Sequence, residues 1–133
     1  MKSLLTLEQI ARNYFLRGLF ILPLGLFGVM HFVYPDFFMD MVPAYAPGGV
    51  FWVYFSGFAL SASSISMFTG YMGKLSSTLL IIFILTFIAT VDLPRLIIDQ
   101  PPDSRYYFMV SFLKDTSLLS GTILYNQIFC LKK

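Results

Sequence analysis

His31 is the only histidine in the chain. It sits in a stretch, Gly28 to Pro47, that leaves a hydrophobic run through Pro35, Pro43 and Pro47 and past Asp36 and Asp40. Imidazole is the side chain best suited to exchanging protons near neutral pH, above all beside carboxylates. Further ionisable residues interrupt other apolar runs: Arg17 in the first, Asp92 and Arg95 at the end of the third, Lys114 and Asp115 in the last. Charges at membrane depth are costly, usually face a bundle interior, and mark candidate sites. Two chemistries suit these residue types. His31 and Asp92 could handle protons, and Lys114, Asp115, Arg95 and Arg17 could hold the polar head of a ligand. One histidine with scattered carboxylates is a poor transition-metal site, no HExxH spacing exists, and no metal is expected. There is no GxSxG elbow and no glycine-rich phosphate loop. The lone Cys130 excludes an internal disulfide, a CxxC redox pair and a cysteine zinc site.

The elements that must position these residues follow from composition. Of 133 residues 57% are hydrophobic and only 12% charged, with 15 Phe and 8 Tyr. Soluble domains carry about 25% charged residues, so this chain has too little polar surface to cover a globule. Its length suits one domain, 1–133. The net charge of +2, without a basic stripe, argues against nucleic acid as a partner. The lipid bilayer is the expected partner. No cleavable signal peptide is evident, and the first apolar run reads as a spanning helix that also directs insertion.

A span needs about 20 mostly apolar residues. Four stretches qualify, at about 14–34, 50–70, 75–93 and 106–131, which predicts an all-α integral membrane four-helix bundle. Leu4, Leu7, Ala11 and Tyr14 share one face of an upstream segment, with Glu8 and Arg12 spaced i,i+4 elsewhere. That segment is either an interfacial helix or a plain extension of the first span. Pro23 should kink the first span and Pro35 stop it; Pro94 should end the third. The second span opens on Phe51, Trp52, Tyr54 and Phe55, as an interfacial belt does. It continues with small residues, among them Gly57 and Ser61 at a spacing that lets helix backbones approach. Tyr71–Lys74 reads as a tight connection and Asp99–Arg105 as a polar loop.

Positive charge sets the orientation. Lys2, Arg12, Arg17, Lys74, Lys132 and Lys133 fall on one side, and only Arg95 and Arg105 on the other. The positive-inside rule then puts both termini in the cytoplasm (N-in/C-in) and the Gly28–Pro47 stretch on the outer side. On helical projections Arg17, Leu24, Gly28 and His31 share a face. Ser111, Asp115, Thr122 and Asn126 form a stripe with Lys114 at its edge. Lys114 and Asp115 point about 100° apart, so mutual neutralisation is not expected. Asp115 with Arg95, or Asp92 with Lys114, are the candidate ion pairs, and these charges serve either a site or helix register.

The chain resembles the DoxX-like family of small bacterial four-helix membrane proteins. The residues that carry the resemblance are Gly28, His31, Phe32, Pro35, Phe38, Val42, Pro43 and Pro47; the small-residue second span with Gly57; and Lys114, Asp115, Leu118, Leu119 and Gly121. The resemblance implies a multi-pass protein of the bacterial inner (cytoplasmic) membrane. Some relatives look like quinone-linked oxidoreductase subunits, so a quinone is the cofactor or ligand it suggests, with a membrane or redox partner protein. A thiol relay does not carry over to a chain with one cysteine, and Val91–Arg95 departs from the family pattern. Two readings stand side by side: a quinone-linked or redox-associated subunit binding a lipophilic ligand in its outer half, and a non-catalytic interaction or structural subunit. A small transporter acting as a homo-oligomer is a third. The residues leave open whether the protein is an enzyme.

Overall fold

The computed structural model describes residues 2–98 and 101–130. The side chains of Leu4, Leu7, Glu8 and Ala11, the loop residue Asp99, and Lys132 and Lys133 lie outside the described residues, and so do the expectations placed on them.

Helix α1 runs unbroken over Lys2–Val33, so the upstream segment extends the first span. Pro23 lies inside it. Pro35 cannot continue α1 and instead opens a short helix, α2, Pro35–Met39, as its fixed φ favours. Residues 40–49 lead back to α3, Val50–Thr69. Gly70 ends α3 in the left-handed conformation (φ 77°), where a Cβ would be penalised, and its amide caps Ser66 O. Helix α4, Gly73–Phe87, follows at once.

The third span departs from expectation at its end. Pro94 does not stop it. The chain passes from α4 through a wider π turn, Ile88–Asp92, into α5, Leu93–Ile97, and the whole of Gly73–Ile97 is long and apolar enough to cross a membrane. The reason is local. Proline has no amide to give the carbonyl four residues back, here that of Thr90. In the π turn the Leu93 amide bonds Ile88 O, one residue further back than in an α-helix. The Thr90 carbonyl is taken instead by the Tyr45 hydroxyl. With its acceptor satisfied from outside, the helix tolerates the proline.

The last helix, α6, spans Pro102–Tyr125 and continues as a π turn, Asn126–Cys130. Arg12–Val33, Val50–Thr69 and Gly73–Ile97 are long and apolar enough to span a bilayer; α6 is as long but more polar. The protein is thus an all-α bundle with three apolar, membrane-length helices among the described residues.

Burial follows alternating steps of three and four residues. In α1 the buried positions include Ile21, Leu24, Gly28 and His31; in α3 Val53, Gly57, Leu60, Ser64 and Met67; in α4 Gly73, Ser77, Leu80 and Ile84. This is the seam of near-parallel helices packing knobs into holes. The core joins Ile21, Leu24, Leu60, Met67, Leu80, Ile84 and Tyr125. Helices α1 and α3 touch most intimately. A Cβ on Gly57 would stand 2.8 Å from His31 Cβ, and one on Gly28 2.6 Å from Ser61 Oγ. Outside the seam large apolar residues are exposed, among them Leu19, Leu22, Leu26, Phe58 and Ile65, as lipid contact requires.

Candidate functional site

Antiparallel packing brings the end of α1, the start of α3, the end of α4 and the first half of α6 together. At this end a cavity of about 610 Å³ opens among the helices. Its walls are mainly apolar: Phe27, Phe38, Val53, Leu60, Phe83 and Ile84. Its polar end is formed by His31, Ser111, Lys114 and Asp115. Small-molecule sites of this kind run from about 300 to 1,000 Å³, with a few convergent polar groups in an apolar wall.

His31 is held firmly. It is buried, stacks on Phe38 with ring centres 3.8 Å apart and planes 13° off parallel, and meets the edge of Phe27 at 5.0 Å. Its Nδ1 lies 2.8 Å from Phe27 O. A carbonyl only accepts, so Nδ1 carries the hydrogen and donates. Among the described residues Nε2 has no hydrogen-bond partner.

Across the cavity Lys114 Nζ sits 4.3 Å from the centre of the Phe27 ring, a cation–π contact. Contrary to the projection, it also pairs with its neighbour: Nζ lies 3.2 Å from Asp115 Oδ1. The helical offset separates the Cβ directions, but the four-carbon lysine stem curls back across it. Asp115 is buried, and Asp92, only 3% exposed, stands with its carboxyl beside that of Asp115. Asp92 Oδ1 accepts from Ser111 Oγ at 3.3 Å, and Oδ2 is buried with no donor among the described residues. The stripe on α6 does face its neighbours: Asp115 and Thr122 are buried, and Asn126 donates to Ser77 and Thr78 on α4.

His31, Asp92, Lys114 and Asp115 therefore come together. Arg17 does not join them, and Arg95 touches the group only by lying near Asp92. Arg95 donates from Nη2 to Asp40 O at 3.0 Å and lies over the Phe108 ring, so no Arg95–Asp115 pair forms. Arg17 shares a face with His31 but stands fourteen residues earlier in α1, roughly 21 Å away at ~1.5 Å per residue. There it donates to Met67 O, Phe68 O and the Tyr125 hydroxyl. Asp36 is exposed on α2. Sequence reasoning missed Phe27 and Phe38 as the clamp on His31, and Tyr45 on the cavity wall. The i,i+4 spacing of Phe27 and His31 was the available signal; Tyr45 carried none, because a loop has no period. Among the described residues, His, Cys, Asp and Glu form no group of three or more suited to a metal ion.

Membrane-length apolar helices, lipid-type exposed surface and inward-turned charges define a multi-span helical membrane protein. Residues 20–111, more than half of the chain, match the model of a family described as a domain of unknown function, DUF8561, and the chain belongs to that family. The matched residues include the Gly28–Pro47 stretch, Asp92 and Ser111; Lys114 and Asp115 follow just beyond them. No curated protein and no solved structure matches the chain.

Proposed function

We propose that the protein binds a small lipophilic molecule of the quinone type in this cavity, with its head at His31 and Lys114. The observation that carries the reading is that His31 and Lys114 both line a cavity whose walls are mainly apolar. A quinone carbonyl is a hydrogen-bond acceptor on an apolar ring, and the Lys114 ammonium has donors beyond the one aimed at Asp115. Phe27 and Phe38 offer ring faces and edges to a flat head. His31 and Asp92 are the groups that would exchange protons with it.

In this reading the chain is a single DoxX-like domain, 1–133, of the bacterial inner membrane, and α6 is a fourth span. What supports the fourth span is that α6 turns Asp115 and Thr122 inward and Leu113 and Leu124 outward, and that Ile128 in the π turn after it is also outward. The excess of Lys and Arg at the Arg17 end supports cytoplasmic termini. The interaction-subunit reading drew on the small-residue face of α3. That face is occupied by α1, since Gly57 and Ser61 lie against His31 and Gly28.

The test uses Trp52, the single tryptophan, which lines the cavity. An alkyl-substituted para-benzoquinone titrated into the purified protein should quench Trp52 fluorescence saturably, and His31→Ala and Lys114→Ala should weaken binding. Quenching that never saturates, or that is the same in all three proteins, would sink the proposal.

A further inference from the structure

The cavity does not end among the helices. Its wall continues sideways between α3 and α4, along Phe55, Leu79 and Ile82. These residues are 44%, 55% and 56% exposed, on the surface that faces lipid. Along this path Phe55 on α3 and Phe83 on α4 meet as a tilted ring pair with centres 6.2 Å apart. Every hydroxyl along this path is turned back into its own helix. Ser56 Oγ donates to Trp52 O at 2.7 Å, Thr86 Oγ1 to Ile82 O at 2.8 Å and Thr90 Oγ1 to Thr86 O at 2.7 Å. The path therefore presents an apolar surface, and unengaged hydrogen-bonding capacity appears only at its inner end.

The outer mouth is closed differently. Residues 40–49 cross it as a strap, and Met41, Pro43, Tyr45 and Pro47 line the cavity from above. Tyr45 donates to Thr90 O, Arg95 to Asp40 O, and Trp52 Nε1 to Pro47 O at 2.6 Å. The strap is thus tied to the end of the third long helix and to the start of α3.

We infer that the cavity is filled sideways from the bilayer, between α3 and α4, while the strap seals it from water. The occupant is then an amphiphile already dissolved in the membrane, its tail along Phe55 and Ile82 and its head at Lys114. Naming that head a quinone rests on the preceding proposal; the route does not.

The experiment reconstitutes the full chain in phosphatidylcholine vesicles containing a phospholipid with a diazirine near the head end of one acyl chain. After irradiation, labelled residues are mapped by mass spectrometry. Leu60 and Leu118, on the cavity's inner wall, should be labelled. Ser56→Phe, which fills the gap from α3, should cut that labelling about tenfold, and Thr86→Phe should do the same from α4. Labelling of the outward Ile65 and the helical circular dichroism should not change in either variant. Tyr45→Phe should leave inner labelling within about twofold. Label confined to outward residues, or inner labelling unaffected by both plugs, would overturn the lateral route. Inner labelling that an alkyl benzoquinone fails to reduce keeps the route and overturns the quinone.

Discussion

Both ends of the bundle carry a cation near aromatic rings, and they use it in opposite ways. At one end Arg17 donates from a single nitrogen, Nη2, to the last carbonyls of α3, Met67 O at 2.6 Å and Phe68 O at 3.2 Å, and to the Tyr125 hydroxyl. Tyr14, Tyr125 and Phe129 surround its guanidinium at 5.3 to 5.8 Å. Tyr125 itself donates to Met67 O. A cation at a helix C-terminus also answers the helix dipole. The result is a closed joint that ties α1, α3 and α6. At the other end Lys114 meets one carboxylate, His31 keeps Nε2 unbonded, and Asp92 Oδ2 has no donor among the described residues. That end holds a cavity where the first holds a plug. Arg17 Nε is also buried without a hydrogen-bond partner among the described residues, so the contrast lies in surroundings: one charge is packed among rings and bonded to helix-end carbonyls, and the other stands at a cavity.

The largest effect should come from breaking the closed end. Arg17→Leu removes charge-assisted bonds to two backbone carbonyls, and should lower stability by on the order of 3 kcal/mol. Thermal unfolding of the purified protein followed by circular dichroism measures it. Quenching of Trp52 by the benzoquinone should persist in the folded fraction, because Arg17 is remote from the cavity. A variant that unfolds normally but loses quenching would reverse the roles assigned to the two ends.

Next in size is Gly57→Ala. The added Cβ would stand 2.8 Å from His31 Cβ, 2.9 Å from the Phe32 ring and 3.0 Å from Gly28 O. Backbone cannot give way as a flexible side chain can, so α1 and α3 must separate. Overpacking of this kind costs about 2 kcal/mol. Unlike Arg17→Leu, the change should also weaken quenching, because it moves the helix that carries His31. An unfolding midpoint equal to that of the unaltered protein would show that the two helices are less intimate than the contacts state.

His31→Phe should do the reverse. Phenylalanine keeps the stack on Phe38 and deletes both ring nitrogens. The Phe27 carbonyl remains inside the α1 backbone ladder, so no acceptor is orphaned. Stability should change by less than about 1 kcal/mol, while affinity for the benzoquinone falls about tenfold, equivalent to about 1.4 kcal/mol. Equal losses in both readouts would make His31 a packing residue like those at the closed end.

Much of the fold was legible because bilayer thickness and helical period leave few choices. Gly70 and the aromatic start of α3 bounded one helix to within a residue, and the Ser111–Asn126 stripe identified the inward face of α6. Two of the errors turned on a partner distant in sequence, and one on the reach of a flexible side chain. Arg17 and His31 lie on one face, but a face is long, and the carbonyls that hold Arg17 come from the far end of α3. Lys114 and Asp115 point apart at Cβ, yet a flexible stem closes the gap. Pro94 reads as a stop unless something else satisfies the Thr90 carbonyl, and that something is a tyrosine forty-five residues earlier in a loop. The site was half legible for the same reason. Its ionisable residues stood out against an apolar background, but the aromatic clamp and the strap did not.

The smallest effect concerns that strap, and it isolates a single bond. Tyr45→Phe removes the donor to Thr90 O without changing the ring, and should cost about 1 kcal/mol. The cost arises because Pro94 has no amide to take the place of the lost hydroxyl. Pro94→Ala supplies one, four residues beyond Thr90, where a helical amide bonds. In the double variant Thr90 O regains a donor from within the helix, so adding Tyr45→Phe to Pro94→Ala should cost less than about 0.5 kcal/mol. The non-additivity of a double-mutant cycle, read from unfolding in detergent, measures this coupling. If the two changes add, Tyr45 is not replacing the missing helix bond, and the strap is held chiefly by Arg95 on Asp40 O and by Trp52 on Pro47 O. Arg95→Met would then loosen the outer mouth more than Tyr45→Phe, and the open end would owe its cover to the same device that closes the other: a guanidinium spent on backbone carbonyls.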